Sequence, residues 1–242
     1  MTRTILRISG ADRLGFLQGL VSNTVPEVEG EITYAALLTP QGKYLADFFL
    51  LAQDGAILLD TASDLAPSLV QRLGMYRLRS DVAIDPTDLM VTCGFDGAPA
   101  GALQDPRHEQ MGWRLYGDEG GTPDGYDIRR VAHLVPQSGV ELIPNESFIL
   151  EHNFEALNGV DFRKGCYVGQ EVTARMKHKT ELRKGLARVR LSEPVPVGTE
   201  ITADGKTVGT VYTQANGDAL AYVRFDRATG EMMAAGAVVA LT

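Results

Sequence analysis

Cys166 is the residue of this sequence whose surroundings most strongly suggest chemistry. It stands between Gly165 and Tyr167 in FRKGCYVGQEVTARMKHKTELRKG, residues 162–185, the most basic segment of the chain. Residues 161–190 contain nine lysines or arginines and three acids, a local charge of +6 in a protein of net charge −8. This pattern indicates either a solvated basic surface or a site for an anionic ligand or partner.

The residues after Cys166 have the spacing of a helix. Apolar residues recur at every fourth position, at Val168, Val172 and Met176. Cys166 is therefore expected at or just before the helix N-terminus, where unpaired N–H groups and the helix macrodipole favour negative charge. Arg163 and Lys164 add positive charge, so the sequence predicts a stabilised thiolate. The glycines on either side leave room for a ligand or partner to approach.

Two other interpretations of Cys166 remain open on these residues alone. The first is a buried cysteine in a tight glycine turn, because free cysteine is usually buried. The second is the nucleophile of a cysteine protease or amidase, for which His152 and His178 are candidate bases. No local protease signature surrounds this cysteine.

The composition is that of a globular protein and narrows the classes of function. The chain has 242 residues, 44% of them hydrophobic and 22% charged, and a pI near 5.0. This acidic balance argues against non-specific nucleic-acid binding by the whole protein. No run approaches the length of a membrane span and no secretory signal is apparent, so we expect a cytoplasmic protein with two free thiols. Two cysteines and four histidines predict no protein-only metal cage.

Short alternating segments dominate the first hundred residues. TRTILRISG predicts one strand, and ITYAALLTPQGKYLADFFLLAQDGAILLD predicts three strands joined by turns at PQGK and QDG. ADRLGFLQGLVSN and SDLAPSLVQRLGMYRLRS predict helices, and DVAIDPTDLMVTCGFDG predicts strands with Cys93 in the core. Since hairpins dominate and the sequence has no dinucleotide or Walker A loop, the fold class is α+β and not a doubly wound parallel sheet.

The rest of the chain divides into a mixed segment and a β-rich segment. Residues 96–125 predict surface loops, YDIRRVAHLVPQSGVEL a strand followed by a short helix, and SFILEHNFEALNGVDF a helix. From about residue 184, short alternating runs separated by PVPVG, ADGK and ANGD predict a small antiparallel barrel or sandwich. We therefore predict an α+β region over 1–183 and a second domain over 184–242.

KGCYVGQE, residues 164–171, resembles the signature K-G-C-[FY]-x-G-Q-E of the YgfZ-type folate-binding proteins. These proteins are relatives of the glycine-cleavage T-protein, an aminomethyltransferase, and include mitochondrial iron–sulfur assembly factors. GADRLGFLQGLVSNTV resembles the N-terminal segment of the family but departs from it at Thr24, where Asp is usual. LLTPQGKYLADFFLL, YRLRSDVAI and LEHNFEALNGVDF resemble further family segments, so the resemblance covers essentially the whole chain.

The resemblance implies a fold and a ligand. The family fold has a ferredoxin-like α+β lobe, a second α+β lobe interleaved with it and a C-terminal antiparallel β-barrel, arranged around a central opening that holds tetrahydrofolate. Asp47 matches a carboxylate next to the folate, and Glu151 matches one that resembles the pterin-recognising glutamate. Lys164 falls near a basic folate contact, and Tyr167 and Gln170 of the signature are further expected contacts.

The resemblance also implies a function. T-protein has no obligatory cysteine at the position of Cys166, which implies a role other than glycine cleavage. The family points to a folate-binding accessory factor that assembles or repairs iron–sulfur proteins, some of which modify tRNA, with Cys166 as the functional thiol. One alternative is a folate-dependent aminomethyl or one-carbon transferase that uses Asp47, and another is a folate-binding remnant with only structural cysteines.

The expected partners follow from the same interpretation. They are tetrahydrofolate and iron–sulfur client or assembly proteins, with no direct membrane contact and no stable nucleic acid. We expect a monomer that acts as an accessory factor rather than as a catalyst.

Overall fold

The computed structural model describes residues 2–178 and 182–242, and its first layer is a five-stranded antiparallel sheet. The strand order is β2-β3-β4-β1-β5. The strands are β1 (Arg3–Ser9), β2 (Ile32–Leu38), β3 (Tyr44–Gln53), β4 (Ala56–Ala62) and β5 (Ala83–Pro86). The predicted hairpins are confirmed, and both turns use positive φ, at Gly42 and at Asp54–Gly55.

Both faces of this sheet are covered, which explains why β3 is almost continuously apolar. Helices α1 (Arg13–Gln18) and α2 (Ala66–Arg77) pack against one face. Residues of the loop region 142–167 pack against the other face, around Tyr34, Tyr44 and Phe49. Because side chains alternate along a strand, Asp47 of β3 points to this second face, opposite to Ala46 and Phe48.

The middle of the chain differs from its prediction. Residues 96–125, predicted as surface loops, contain two strands: β7 (Leu103–Gln104) and β8 (Trp113–Gly117). The glycines, prolines and aspartates of the flanking turns led to the loop prediction. They pair in the order β6-β8-β7 with β6 (Met90–Gly94). Helix α3 (Tyr126–Ala132) occupies the place of the predicted strand and begins directly after Gly125, whose φ is +78°.

The predicted helix in SFILEHNFEALNGVDF is wrong. Within this segment only a 3₁₀ turn forms, at Ile149–His152. Another 3₁₀ turn lies earlier in the chain, at Glu109–Met111. Asn153 and Asn158 adopt left-handed backbone conformations, with φ of +65° and +53°, and Asn153 ends the 3₁₀ turn. Cys93 is also only half-buried, because its strand β6 lies in the small three-stranded sheet and not in the main core.

Helix α4 (Gln170–His178) and the C-terminal barrel complete the fold. The barrel is closed, with strand order β10-β11-β12-β9-β14-β13. Its strands are β9 (Lys184–Leu191), β10 (Glu200–Ala203), β11 (Lys206–Ala215), β12 (Asp218–Arg224), β13 (Met232–Ala234) and β14 (Ala237–Leu241). The α+β class with an antiparallel C-terminal barrel is thus confirmed. Lys179 and Glu181 of the basic segment lie outside the described residues.

No helix within residues 2–178 and 182–242 combines the length and apolar content of a membrane span.

Candidate functional site

Cys166 is exposed at the surface, on the loop that connects the 3₁₀ turn of residues 149–152 to α4. The helix begins at Gln170, so the thiol precedes it by four residues and does not occupy its N-terminal turn. The field of a helix terminus falls off within one turn. The structure therefore corrects the expected placement: exposure, and not the helix dipole, distinguishes this cysteine.

The two glycines of the signature have different surroundings. A side chain at Gly165 would meet no atom within 4 Å, so open space borders Cys166. A Cβ at Gly169, where φ is +85°, would lie 2.7 Å from the Thr39 carbonyl oxygen and 2.9 Å from Leu38 Cβ. Gly169 therefore allows the start of α4 to pack against the tip of the β2–β3 hairpin, and only Gly165 leaves room for an incoming group.

Lys164 attaches the loop to the segment before β2. Its ammonium donates hydrogen bonds to the carbonyl oxygens of Val21 (2.6 Å) and Asn23 (2.7 Å). Burial lowers the pKa of Lys164 to about 8, and the nearby Asp161 carboxylate opposes that shift. An ammonium engaged in this way is directed into the protein, so the structure does not present Lys164 to a ligand at the surface.

Asp161 forms a second attachment between the same two segments. Its backbone N–H donates to the Ser22 carbonyl at 3.0 Å, and its carboxylate accepts from Thr24 Oγ1 at 2.8 Å. The Arg163 backbone N–H donates to the same carboxylate, and this bond together with that of Thr24 holds the pKa of Asp161 below its usual value, against the effect of desolvation. Residues 161–164 are therefore fixed beneath an exposed cysteine.

Asp47 is buried, and hydroxyl groups surround its carboxylate. Tyr34 donates to Oδ2 at 2.9 Å, Tyr44 donates to Oδ1 at 2.6 Å, and Ser138 also donates to Oδ1. Burial, reinforced by the Asp47 charge, raises the pKa of both tyrosines well above the usual value, so both remain protonated donors. The carboxylate is thus satisfied within the protein, and no oxygen is directed at solvent.

Glu151 joins the 3₁₀ turn of residues 149–152 to the barrel. Its Oε2 accepts from the Tyr222 hydroxyl at 2.5 Å and lies 3.6 Å from Lys184 Nζ. Burial, followed by the Glu151 bond, raises the pKa of Tyr222. Among residues 2–178 and 182–242, no partner bonds to Glu151 Oε1, so this carboxylate keeps an acceptor for a further donor.

One hydrophobic cluster connects these residues. It contains Tyr34 and Tyr44, which bind Asp47, Ile149, which lies two residues before Glu151, and Tyr167, which follows Cys166. Tyr167 is itself buried, and Gln170 is half-buried at the first position of α4. Neither of the two described cavities is lined by a predicted site residue.

A second buried carboxylate on the same sheet was missed by sequence analysis. Asp60 of β4 pairs with Arg3 at 2.7 Å and with Arg114 of β8, whose guanidinium lies 3.8 Å from the Phe49 ring centre. Desolvation favours the neutral acid, but the two guanidiniums outweigh it and hold the pKa of Asp60 below its usual value. A lone charge in an apolar strand is the signal that marks both Asp47 and Asp60 as buried.

The described residues contain no group of three or more histidine, cysteine or acidic side chains placed to hold a metal ion. Both cysteines are free thiols. Any cluster that contacts Cys166 therefore needs ligands from elsewhere.

Comparison with known proteins adds three findings. Residues 183–242 match the family model described as CAF17, C-terminal beta-barrel domain. The human mitochondrial iron–sulfur cluster assembly factor IBA57 is 34% identical over 86% of this chain and 71% of its own length. The mouse protein is 30% identical over 95% of this chain and 78% of its own length. In structure, glycine cleavage system aminomethyltransferase T from Bartonella henselae superimposes with a TM-score of 0.77, at 13% identity, over 99% of this chain and 82% of that chain.

These findings confirm the three-lobed aminomethyltransferase fold and the family resemblance. They contradict the predicted cytoplasmic location, because the curated relatives are named as mitochondrial proteins. A fungal relative from Mycosarcoma maydis is 36% identical, and this chain spans 54% of its length. On these identities and coverages, the chain belongs to the IBA57 family of iron–sulfur cluster assembly factors.

Proposed function

We propose that this protein is a tetrahydrofolate-binding accessory factor for the assembly or repair of iron–sulfur proteins, with Cys166 as its functional thiol. The exposure of Cys166 is the observation that carries the proposal. The thiol borders open space at Gly165, and Lys164 and Asp161 fix the loop on which it stands. A fixed, exposed thiol is suited to a brief contact with another protein.

The chemistry assigned to Cys166 is that of a single ligand. A thiolate is the natural soft ligand for iron, and it also accepts sulfur from a persulfide donor. One thiolate cannot hold a cluster alone, so the remaining ligands belong to the client or assembly protein. We infer that the chain acts as a monomer and that iron–sulfur enzymes, including those that modify tRNA, are its clients.

Two features support tetrahydrofolate binding: the fold and the free acceptor of Glu151. We place the folate site in the predicted region 1–183, which contains Glu151. Glu151 keeps one carboxylate oxygen to accept from an N–H donor of a pterin, while Tyr222 and Lys184 bind the other. Asp47, Lys164 and Tyr167 are directed into the protein, so their part is to hold the surrounding segments and not to touch the folate. Gln170 is the remaining candidate contact.

The geometry of Asp47 does not favour the alternative transferase. A general base needs a carboxylate within reach of the reacting nitrogen. Three hydroxyls already occupy the oxygens of Asp47, and the side chain is buried. Catalysis by Asp47 would require the displacement of at least one of these donors.

Complementation tests the assigned thiol. In cells that lack their own relative of this protein, Cys166→Ala should fail to restore the activity of an iron–sulfur enzyme, whereas Cys93→Ala should restore it. Immunoblots for the two variants control for expression. A functional Cys166→Ala variant would refute the assignment, and a null Asp47→Asn variant that is folded and abundant would support the transferase instead.

Anaerobic titration calorimetry tests the folate. Tetrahydrofolate should bind the wild-type protein, and Glu151→Ala should weaken binding at least about tenfold, or about 1.4 kcal/mol. Glu155→Ala is the matched control, because Glu155 is an exposed acid four residues away whose partner is Lys177. The absence of binding to the wild type would remove folate from the proposal and leave the thiol assignment intact.

A further inference from the structure

The C-terminal half of α2 exposes large hydrophobic side chains that no part of the described protein covers. Met75 is 63% exposed and Leu78, directly after the helix, is 88% exposed. Leu78 has the highest exposure among the large hydrophobic residues described. Methionine and leucine at this exposure, three positions apart in the sequence, indicate a surface for contact with another molecule.

Leu78 also has an unusual backbone. Its φ is +45° and its ψ is −107°, a region that residues with a Cβ rarely adopt. The next turn fixes this conformation, since the Ser80 N–H donates to the Arg77 carbonyl at 2.8 Å. Backbone strain is normally offset by contacts elsewhere in the structure or linked to a function. The Leu78 side chain is not buried against the described protein, so packing does not offset the strain here. Its outward position is the feature that the strain maintains.

Positive charge surrounds these hydrophobic side chains. Arg72, Arg77 and Arg79 are exposed, and none of them forms an ion pair with another described residue. No acid occurs between residues 65 and 80. Asp12, which lies beside Leu78 and Arg79, and Asp81 both accept backbone hydrogen bonds: the Asp81 N–H donates to the Asp12 carboxylate, and the Ala11 N–H donates to the Asp81 carboxylate.

A groove lies along α2 and reaches Arg72 and Met75 of its C-terminal half. It has a volume of about 420 Å³ and is lined by residues on α2, on the β2–β3 hairpin and on the turn at 144–145. On α2 the lining extends from Ser68 to Met75, which is roughly 10 Å of helix. The lining of the groove is mixed: Leu37 and Leu69 are apolar, whereas Ser68, Gln71, Arg72 and Asn145 are polar or charged. A second, more open depression is lined by Asp12, Leu78, Arg79 and Ser80.

We propose that this surface, consisting of Arg72, Met75, Arg77, Leu78, Arg79 and the adjoining groove, docks an acidic amphipathic helix of a partner protein. Aliphatic side chains of the partner enter the groove and contact Met75 and Leu78. Acidic side chains beside them pair with the three arginines. An apolar centre with an arginine rim is the usual composition of such an interface.

The observations favour a protein over a lipid surface or a nucleic acid. Three arginines are fewer than the clusters of four to eight basic residues that attach proteins to anionic membranes, and a protein of net charge −8 is repelled by such surfaces. The groove also presents the apolar side chains of Leu37, Leu69 and Met75, which suit aliphatic side chains of a partner better than phosphate groups.

The docking surface and the Cys166 loop share a structural element. Leu37, Leu45 and Leu69 of the groove belong to or pack against the hydrophobic cluster that Val168 contacts, and Val168 is two residues from Cys166. A partner bound in the groove therefore lies against the hairpin on which the thiol loop rests. The interface deepens the proposed function, because it is a means of holding a client beside the thiol.

Fluorescence anisotropy with a synthetic probe tests the proposal. The probe is a labelled helical peptide of about 14 residues with leucine on one face and glutamate on the other. It should bind the wild-type protein, and both Leu78→Ser and the double variant Arg77→Glu/Arg79→Glu should weaken binding at least tenfold. A peptide with lysine in place of glutamate should not bind.

Matched changes on the barrel control for general effects of charge and hydrophobicity. Val197→Ser removes another exposed aliphatic side chain (60% exposed, against 88% for Leu78), and Arg227→Glu reverses an exposed arginine. Equal binding by all variants, or no binding to the wild type, would overturn the proposal. Binding to vesicles with anionic lipid but not to the peptide would replace it with a membrane site. Neither folate nor Cys166 enters this test, so its failure leaves the proposed function standing.

Discussion

Asp47 and Cys166 are attached to the same hydrophobic cluster but have opposite surroundings. Tyr34 and Tyr44, the donors to Asp47, and Tyr167, the neighbour of Cys166, all belong to that cluster. The carboxylate is buried and saturated by hydroxyl donors, whereas the thiol is exposed beside open space. Both are reactive groups in the sequence, yet only the thiol is available to another molecule. We therefore expect the carboxylate to matter for stability, and the thiol is the group that we propose for function.

The sharpest way to break this comparison is to remove the buried carboxylate. Asp47→Ala leaves the hydroxyls of Tyr34, Tyr44 and Ser138 without their acceptor in a buried space, so we expect the free energy of unfolding to fall by about 3 kcal/mol. Cys166→Ala should change it by less than about 0.5 kcal/mol. Urea unfolding followed by circular dichroism measures both. Equal losses in the free energy of unfolding would show that Asp47 and Cys166 contribute alike to stability.

The contribution of Asp60, the second buried carboxylate of the sheet, to the free energy of unfolding should depend on pH. The pKa of Asp60 is lower in the folded protein than in the unfolded chain, because Arg3 and Arg114 overcome its desolvation. The stabilisation from Asp60 is therefore complete above the unfolded value near 3.9 and is lost as the pH falls through the lower folded value. Asp60→Asn should cost about 2 kcal/mol at pH 6, and the cost should shrink below about pH 4.

Urea unfolding of the wild-type protein and Asp60→Asn between pH 3 and pH 6 measures this difference. Asp85→Asn serves as the control, because Asp85 is an exposed acid of the same sheet. A cost at pH 3 as large as that at pH 6 would show that the loss comes from packing and not from charge.

Thiol labelling compares the two cysteines directly. Cys166 should react about tenfold faster than Cys93 with a neutral disulfide reagent at neutral pH. Cys93 is half-buried, and burial raises the pKa of its thiol, an effect that Arg114 offsets only in part. The variants Cys93→Ala and Cys166→Ala isolate each thiol. Two cysteines that resist the reagent equally would favour a folate-binding remnant with structural cysteines only.

The sequence predicted well where local pattern and tertiary packing agree. The hairpins β2–β3 and β3–β4 have turns with glycine at positive φ and strands of strand-forming residues. In the barrel strands apolar and polar residues alternate, and turn residues separate the strands, so the sequence predicted an antiparallel barrel or sandwich. The exposed thiol was also expected, because the signature surrounds Cys166 with small and basic residues.

The prediction failed where a contact between distant segments decides the outcome. Ser138 donates to Asp47 across 91 positions, and no local pattern records that bond. The ammonium of Lys164 is directed into the protein because the carbonyls of Val21 and Asn23 happen to lie beneath it. Strand β8 escaped detection because turn residues flank it on both sides. In each case tertiary packing overrides the local signal.

Thr24 is the residue near the site that departs from the family pattern, and its substitution has the smallest expected effect on stability. Thr24 stands where the family usually has Asp, and its hydroxyl donates to Asp161 at 2.8 Å. Thr24→Asp would replace this donor with a carboxylate, raise the pKa of Asp161 and lower stability by about 0.5 kcal/mol. Thr24→Asn keeps a donor and should be neutral. Because repulsion between exposed charges is screened by salt, the loss for Thr24→Asp should diminish at about 0.5 M salt. A loss that salt does not change would mean that packing of the Thr24 methyl, and not its hydrogen bond, matters to the thiol loop.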